Sequence, residues 1–222
     1  MSGRVPAGEF QLRLFPLPNL VFFPNTRLPL HIFEPRYRQL VTDAMSSDER
    51  IGMILLRSGW RTDYFGAPAI HDVGTMGIIE QVVKLDDGRY NLLLDGVTRF
   101  RILEETDQAL YRTARVVALP ERAPQPVDAW ARREWLIELS RRYLELLPGG
   151  FEVPELDTAN LESLVNALVM SLNLELEEKQ GLLELDDLAT RCDTVGTLLE
   201  TRLEAMTFLA PYRRGDGEPG MN

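Results

Sequence analysis

The chain has 222 residues, 45% of them hydrophobic and 26% charged, a composition that supports a packed core and does not favour disorder. Its formal net charge of −10 repels phosphate backbones and anionic lipid, so nucleic-acid binding would need a segregated basic patch, and none stands out. The start, MSGRVPAGEFQLRLF, lacks the apolar core of a signal peptide, and no run reaches the ~20 apolar residues that span a bilayer. With a single cysteine, Cys192, that cannot form an internal disulfide, the expected location is cytoplasmic.

Up to about residue 120 the hydrophobic pattern has period two. Phe10, Leu12 and Leu14 alternate with Gln11 and Arg13, as a half-buried strand requires. Prolines punctuate residues 15–24, and a second alternating run follows at Leu28, Leu30 and Ile32. Pro29 inside it marks an edge strand or a bulge, because proline cannot donate to the ladder. Pro35 suits a first helical position, and Tyr37, Leu40, Val41, Ala44 and Met45 share one face of a short helix. Further strands are expected at 51–56, 76–85, 90–94, 98–103 and 112–119, with Asp86-Asp87-Gly88 as a hairpin turn. Many short antiparallel strands with one helix imply a closed or nearly closed barrel, which removes sheet edges.

Residues 120–127 contain three prolines and no clear period, which predicts a linker. The period then becomes helical. Trp130, Leu136, Ile137, Tyr143, Leu144 and Leu147 mark a long helix ended by Pro148-Gly149-Gly150, and a second helix runs from about Thr158 through Leu172. A short helix near 175–183 and a longer one over about 186–208 follow. The expected class is α+β: an antiparallel barrel subdomain over 9–120, a linker over 121–127, a helical bundle over 128–210 and a disordered tail over 211–222.

The sequence assembles no evident catalytic set. No GxxxxGK[ST] phosphate loop surrounds either lysine, Lys84 or Lys179, and no serine lies in a GxSxG elbow. His31 and His71 are expected at the surface or in turns, and with Cys192 they lack the paired spacing of a zinc site. No cofactor, metal or catalytic residue is therefore assigned. The acidic stretch Glu175, Glu177, Glu178, Glu184, Asp186, Asp187 matches no calcium loop and reads as a solvated helix face. Gly74, Gly77, Gly88 and Gly96 are expected at strand ends and turns. Trp60, Tyr64 and Phe65 lie in a segment rich in glycine and proline, where they are either anchors for a partner or a plug for one end of the barrel.

Four segments carry more than periodicity. Leu14-Phe15-Pro16-Leu17-Pro18-Asn19-Leu20-Val21-Phe22-Phe23-Pro24 leads to Leu28-Pro29-Leu30-His31-Ile32-Phe33-Glu34-Pro35-Arg36-Tyr37. Val73-Gly74-Thr75 with Gly77-Ile78-Ile79 follows, then residues 92–101 (LLLDGVTRFR), then residues 178–184 (EKQGLLE) with Asp187 and Arg191. In this order they resemble the N-terminal domain of Lon-type ATP-dependent proteases, over roughly residues 10–209. The resemblance implies a PUA-like barrel followed by a helical bundle, and a role in capturing unfolded or tagged polypeptide segments. In the full-length protease an AAA+ motor and a Ser-Lys peptidase follow this domain. This chain is expected to be a stand-alone copy that ends where the motor would begin, with Trp60, Tyr64 and Phe65 as candidate polypeptide-binding residues. The expected function is a non-enzymatic binding module, adaptor or holdase-like, whose partners are unfolded or extended polypeptide and a separate protease or AAA+ motor, with no nucleic acid and no membrane. A cryptic hydrolase and an RNA-binding PUA-like module are the alternatives.

Overall fold

The computed structural model describes residues 5–63, 66–106, 110–147 and 158–213. They form a mixed sheet of six strands with five α-helices. The chain divides into two compact units, one of residues 1–122 with 166–186 and one of residues 123–165 with 187–222. The sequence suggests a single cut at 121–127; the first unit instead takes back a later segment.

In the first unit the strands are β1 (Glu9–Leu17), β2 (Arg27–Ile32), β3 (Arg50–Leu55), β4 (Val73–Lys84), β5 (Tyr90–Thr106) and β6 (Thr113–Leu119), with α1 (Pro35–Met45) between β2 and β3. They pair in the order β2-β5-β4-β3-β1-β6, and β6 pairs with β5 as well. Five of these six pairings are antiparallel, but β1 and β3 run parallel, with Leu14 opposite Gly52 and Leu17 opposite Leu55. The expectation of a wholly antiparallel sheet is thus corrected. The chain leaves β1, makes β2 and α1, and only then returns as β3, which gives the long crossover that a parallel pair requires.

Two apolar clusters organise this unit. Leu12, Leu14, Ile54, Met76, Phe100, Ala114 and Val116 meet from strands β1, β3, β4, β5 and β6. Tyr37, Leu40, Val41 and Ala44 of α1, whose first residue is Pro35, pack with Phe15, Ile32, Met53, Leu92 and Leu94. Burying such side chains contributes about 1.5–3 kcal/mol each.

β5 is one strand where two were expected. Its pairing with β4 shifts register between Gly96 and Thr98, leaving Val97 as the extra residue of a bulge. Gly96 is not a turn residue. Its N–H donates to Thr26 O at 2.9 Å and its carbonyl accepts from Asn25 N at 2.8 Å, and a Cβ there would run into the Phe23 carbonyl. Gly77 likewise lies inside β4, whereas Gly74 is its second residue, at the strand end as expected. Gly88 does occupy the expected hairpin turn, with φ of 81°.

The remaining helices are α2 (Pro126–Glu145), α3 (Leu161–Ser171), α4 (Leu176–Glu184) and α5 (Leu188–Arg213). Pro126 opens α2, so the last residues of the expected linker are helical. In the second unit α2 and α5 pack together. Arg132 makes a two-pronged contact with Asp193 at 2.9 and 3.1 Å, and Trp135 fills the space left by the missing side chain of Gly196. Leu136, Ile137 and Leu139 form the buried face of α2, whereas Trp130 is 66% exposed and is no part of it. The expected disordered tail began at Pro211, but α5 reaches Arg213; the rest of that tail, and Pro148-Gly149-Gly150, lie outside the described residues. Among the described residues no helix is long and apolar enough to cross a membrane.

Candidate functional site

Trp60 begins a short 3-10 turn, Trp60–Asp63, just after β3. Its half-buried ring packs on the cluster that contains Leu12, Leu56 and Phe100, and Arg61 holds its guanidinium 5.5 Å above the ring centre. Trp60 also lines a cleft of about 250 Å³ with Pro18, Leu55, Leu56, Ser58, Glu175, Leu176 and Glu177. Leu55 and Leu56 form a buried floor, and the start of α4 forms one wall. Trp60 thus both packs against the core and lines a cleft. Tyr64 and Phe65 lie outside the described residues.

A set of polar contacts fixes the α4 wall to the sheet. Glu175 and Glu178 form a reciprocal capping box at its start. Gln180 Nε2 donates to Val73 O at 3.0 Å. Beyond the helix, the guanidinium of Arg99, only 1% exposed, donates from Nη1 to Leu183 O at 3.0 Å, to Leu185 O at 2.9 Å and to Asp186 Oδ1 at 3.2 Å. Glu121 lies 3.7 Å from Nη2. A buried charge is tolerable when it is paired and hydrogen-bonded in this way. Arg99 faces Thr75 across the β4–β5 pair, Thr75 Oγ1 donates to Phe22 O at 2.6 Å, and both side chains are buried.

His71, expected at the surface or in a turn, lies in the irregular segment just before β4 and is buried. Its N–H donates to Leu55 O at 2.9 Å, and its ring nitrogens each lie 3.6 Å from a carboxylate of α4, Nε2 from Glu177 and Nδ1 from Glu184. The acidic stretch is accordingly more than a solvated face: Glu175 and Glu178 cap, Glu177 and Glu184 flank His71, and Asp186 meets Arg99. Periodicity could not single out Arg99, Gln180 or His71, since their roles depend on a segment about a hundred residues away. Pro18 was legible only as a member of a resembling segment, and Glu177 only as part of the acidic stretch.

The grouping of Ser58, Glu177 and His71 does not form a nucleophile triad. Ser58 Oγ donates to Glu177 Oε1 at 3.4 Å, and His71 approaches the opposite oxygen of that carboxylate. The carboxylate stands between serine and histidine, whereas activation needs the imidazole in the middle to take the serine proton. His31 is engaged elsewhere, with Asn91 at 2.6 Å and Arg89 at 3.1 Å. The Lys179 ammonium donates to Met170 O at 3.2 Å. Burial pushes the Cys192 thiol up to about 12, with Asp193 adding and Arg132 opposing, so it remains a protonated packing group. Among the described residues no three His, Cys, Asp or Glu side chains converge as metal ligands would.

The family model described as the ATP-dependent protease La (LON) substrate-binding domain matches residues 11–201. The chain belongs to the Lon substrate-binding domain family. Lon protease 2 of Myxococcus xanthus is 32% identical over 202 residues, covering 88% of this chain and 24% of the relative. Lon protease of Anaeromyxobacter dehalogenans is 31% identical with the same coverage. The chain thus spans about a quarter of the length of these Lon proteases. Among solved structures, the Lon N-terminal domain protein from Xanthomonas campestris superposes with a TM-score of 0.61 at 24% identity, covering 84% of this chain and 96% of its own. The N-terminal domain of Lon protease from the Mycobacterium avium complex gives 0.65 at 14% identity, with 86% and 98% covered. Both share the Lon N-terminal domain fold, and the six-stranded mixed sheet with its helices is this chain's version of it.

Proposed function

We propose that the chain is a non-catalytic module that binds unfolded or extended polypeptide, with the cleft beside Trp60 as the contact site. The observation that carries this is the cleft itself: an apolar floor and an aromatic wall, set in a domain of a family defined by substrate binding. A volume of about 250 Å³ lies below the roughly 300–1,000 Å³ of small-molecule pockets, which suits one or two side chains of a passing segment. The fixed α4 wall provides preorganisation, which lowers the ordering cost of binding. Tyr64 and Phe65, which follow Trp60 in sequence, remain candidates for the same binding role.

The finer architecture belongs to the same proposal. The ring of pairings in which β6 joins both β1 and β5 supports a PUA-like barrel, and the α2–α5 packing supports a helical bundle. An adaptor or holdase role in the cytoplasm, in association with a protease or an AAA+ motor, fits such a module. The test is fluorescence anisotropy of a labelled, permanently unfolded protein titrated with the chain, without nucleotide. Saturable binding that weakens in Trp60→Ala supports the proposal. No binding up to high micromolar concentration sinks it.

A further inference from the structure

We infer that the cleft selects segments in which an apolar side chain is followed by lysine or arginine. This rests on the reading that the cleft takes extended polypeptide, and it adds a charge preference. The floor of Leu55 and Leu56, with Pro18, Leu176 and Trp60 beside it, accepts the apolar side chain. The polar part of the lining is Ser58, Glu175 and Glu177, a hydroxyl and two carboxylates with no cation among them.

Among the described residues, no lysine or arginine is paired with those carboxylates. Glu175 lies at the start of α4, where its side chain accepts from the Glu178 N–H. Glu177 Oε1 accepts a long bond from the neutral Ser58 hydroxyl, its other oxygen faces the His71 ring, and its side chain is 62% exposed. Of the arginines nearby, Arg57 is committed to Ile70 O at 2.7 Å and to Asp72 at 3.3 Å. Arg61 lies over the Trp60 ring. That face is thus occupied within the chain, and the group left to meet an ammonium or guanidinium that follows the apolar side chain is the exposed Glu177 carboxylate beside the floor. An acidic segment meets repulsion at the rim and from the chain's net charge of −10.

The test uses three labelled peptides of equal length, each with a central leucine, followed by lysine in the first, glutamine in the second and glutamate in the third. Anisotropy with the intact chain should rank them lysine, glutamine, glutamate, with about a two- to five-fold step between neighbours, as exposed ion pairs give. Half-molar salt should compress the steps. Glu177→Gln, isosteric and exposed, should shrink the preference while leaving the melting temperature unchanged. Glu104→Gln, which removes the same charge outside the cleft lining, should leave it intact. Equal affinity for all three peptides, or a preference that Glu104→Gln reduces as much as Glu177→Gln, overturns the selectivity and leaves polypeptide binding standing. Failure of all three peptides and of the unfolded protein to bind overturns both.

Discussion

Arg99 Nη1 donates a 2.9 Å hydrogen bond to the main-chain oxygen of Leu185, tying β5 to a segment 86 residues later. The same nitrogen serves Leu183 O and Asp186, so truncating the side chain strands several acceptors at once. Arg99→Met should cost about 3 kcal/mol in urea unfolding, since the buried Leu183 carbonyl, the part-buried Leu185 carbonyl and the half-exposed Asp186 carboxylate all lose their donor. Arg99→Lys should recover only part of this, because an ammonium cannot reproduce the planar fork. A loss below about 1 kcal/mol in Arg99→Met would show that the contact is dispensable.

Trp60 divides its surface between core and cleft, and its replacement should divide likewise. Half-burial predicts that Trp60→Ala loses about 1–2 kcal/mol of stability, below the ~3–5 kcal/mol of a fully buried aromatic. Binding of an unfolded protein should weaken by a larger factor than this destabilisation explains at temperatures where the variant stays folded. Stability loss above about 3 kcal/mol with binding unaltered would make the ring a plug alone.

Burial raises the Cys192 thiol from an ordinary 9.0 to about 12, so the folded state holds its proton where the unfolded chain has released it. By linkage, the stabilisation is complete below about pH 9 and is lost as pH rises from 9 towards 12. The difference in unfolding free energy between wild type and Cys192→Ala should accordingly narrow over that range. A thiol reagent at pH 8 should modify the native protein far more slowly than the urea-unfolded chain. Equal rates would contradict the burial.

Neither lysine sits in a phosphate loop, and Lys179 is engaged with Met170 O. Millimolar ATP with magnesium should leave the melting temperature unchanged, whereas a ligand at about 100 times its dissociation constant would add about 2.7 kcal/mol. An upward shift specific to ATP would refute this.

Local patterns made much of the sheet legible. The alternation of Phe10, Leu12 and Leu14 lies on β1, and Pro35 opens α1 as its fixed φ allows. Gly96 misled because its requirement is close backbone approach to Thr26, which in sequence looks identical to a turn. Arg99, next to Phe100, reads as the solvent-facing member of an alternating pair. Its face is covered by residues 183–186, and no local period reports a cover that arrives from so far along the chain. The parallel β1–β3 pairing was hidden for the same reason, since period two is indifferent to strand direction. Of the cleft, the sequence marked Trp60 through its loop-like surroundings, but not the α4 wall that makes it concave.

The first unit takes residues 166–186 back across the whole span of 123–165, and this orders events during synthesis. When all six strands have left the ribosome, Arg99 and the Val73 carbonyl are exposed to water, because the groups that answer them are still untranslated. At about 5–20 residues per second that interval lasts several seconds. During it the nascent sheet displays a charged side chain and an open apolar margin of its own, which is the kind of surface that holding chaperones engage. A released fragment of residues 1–122 should therefore be protease-sensitive around β4 and β5, and a released fragment extended well past residue 186 should be protected there.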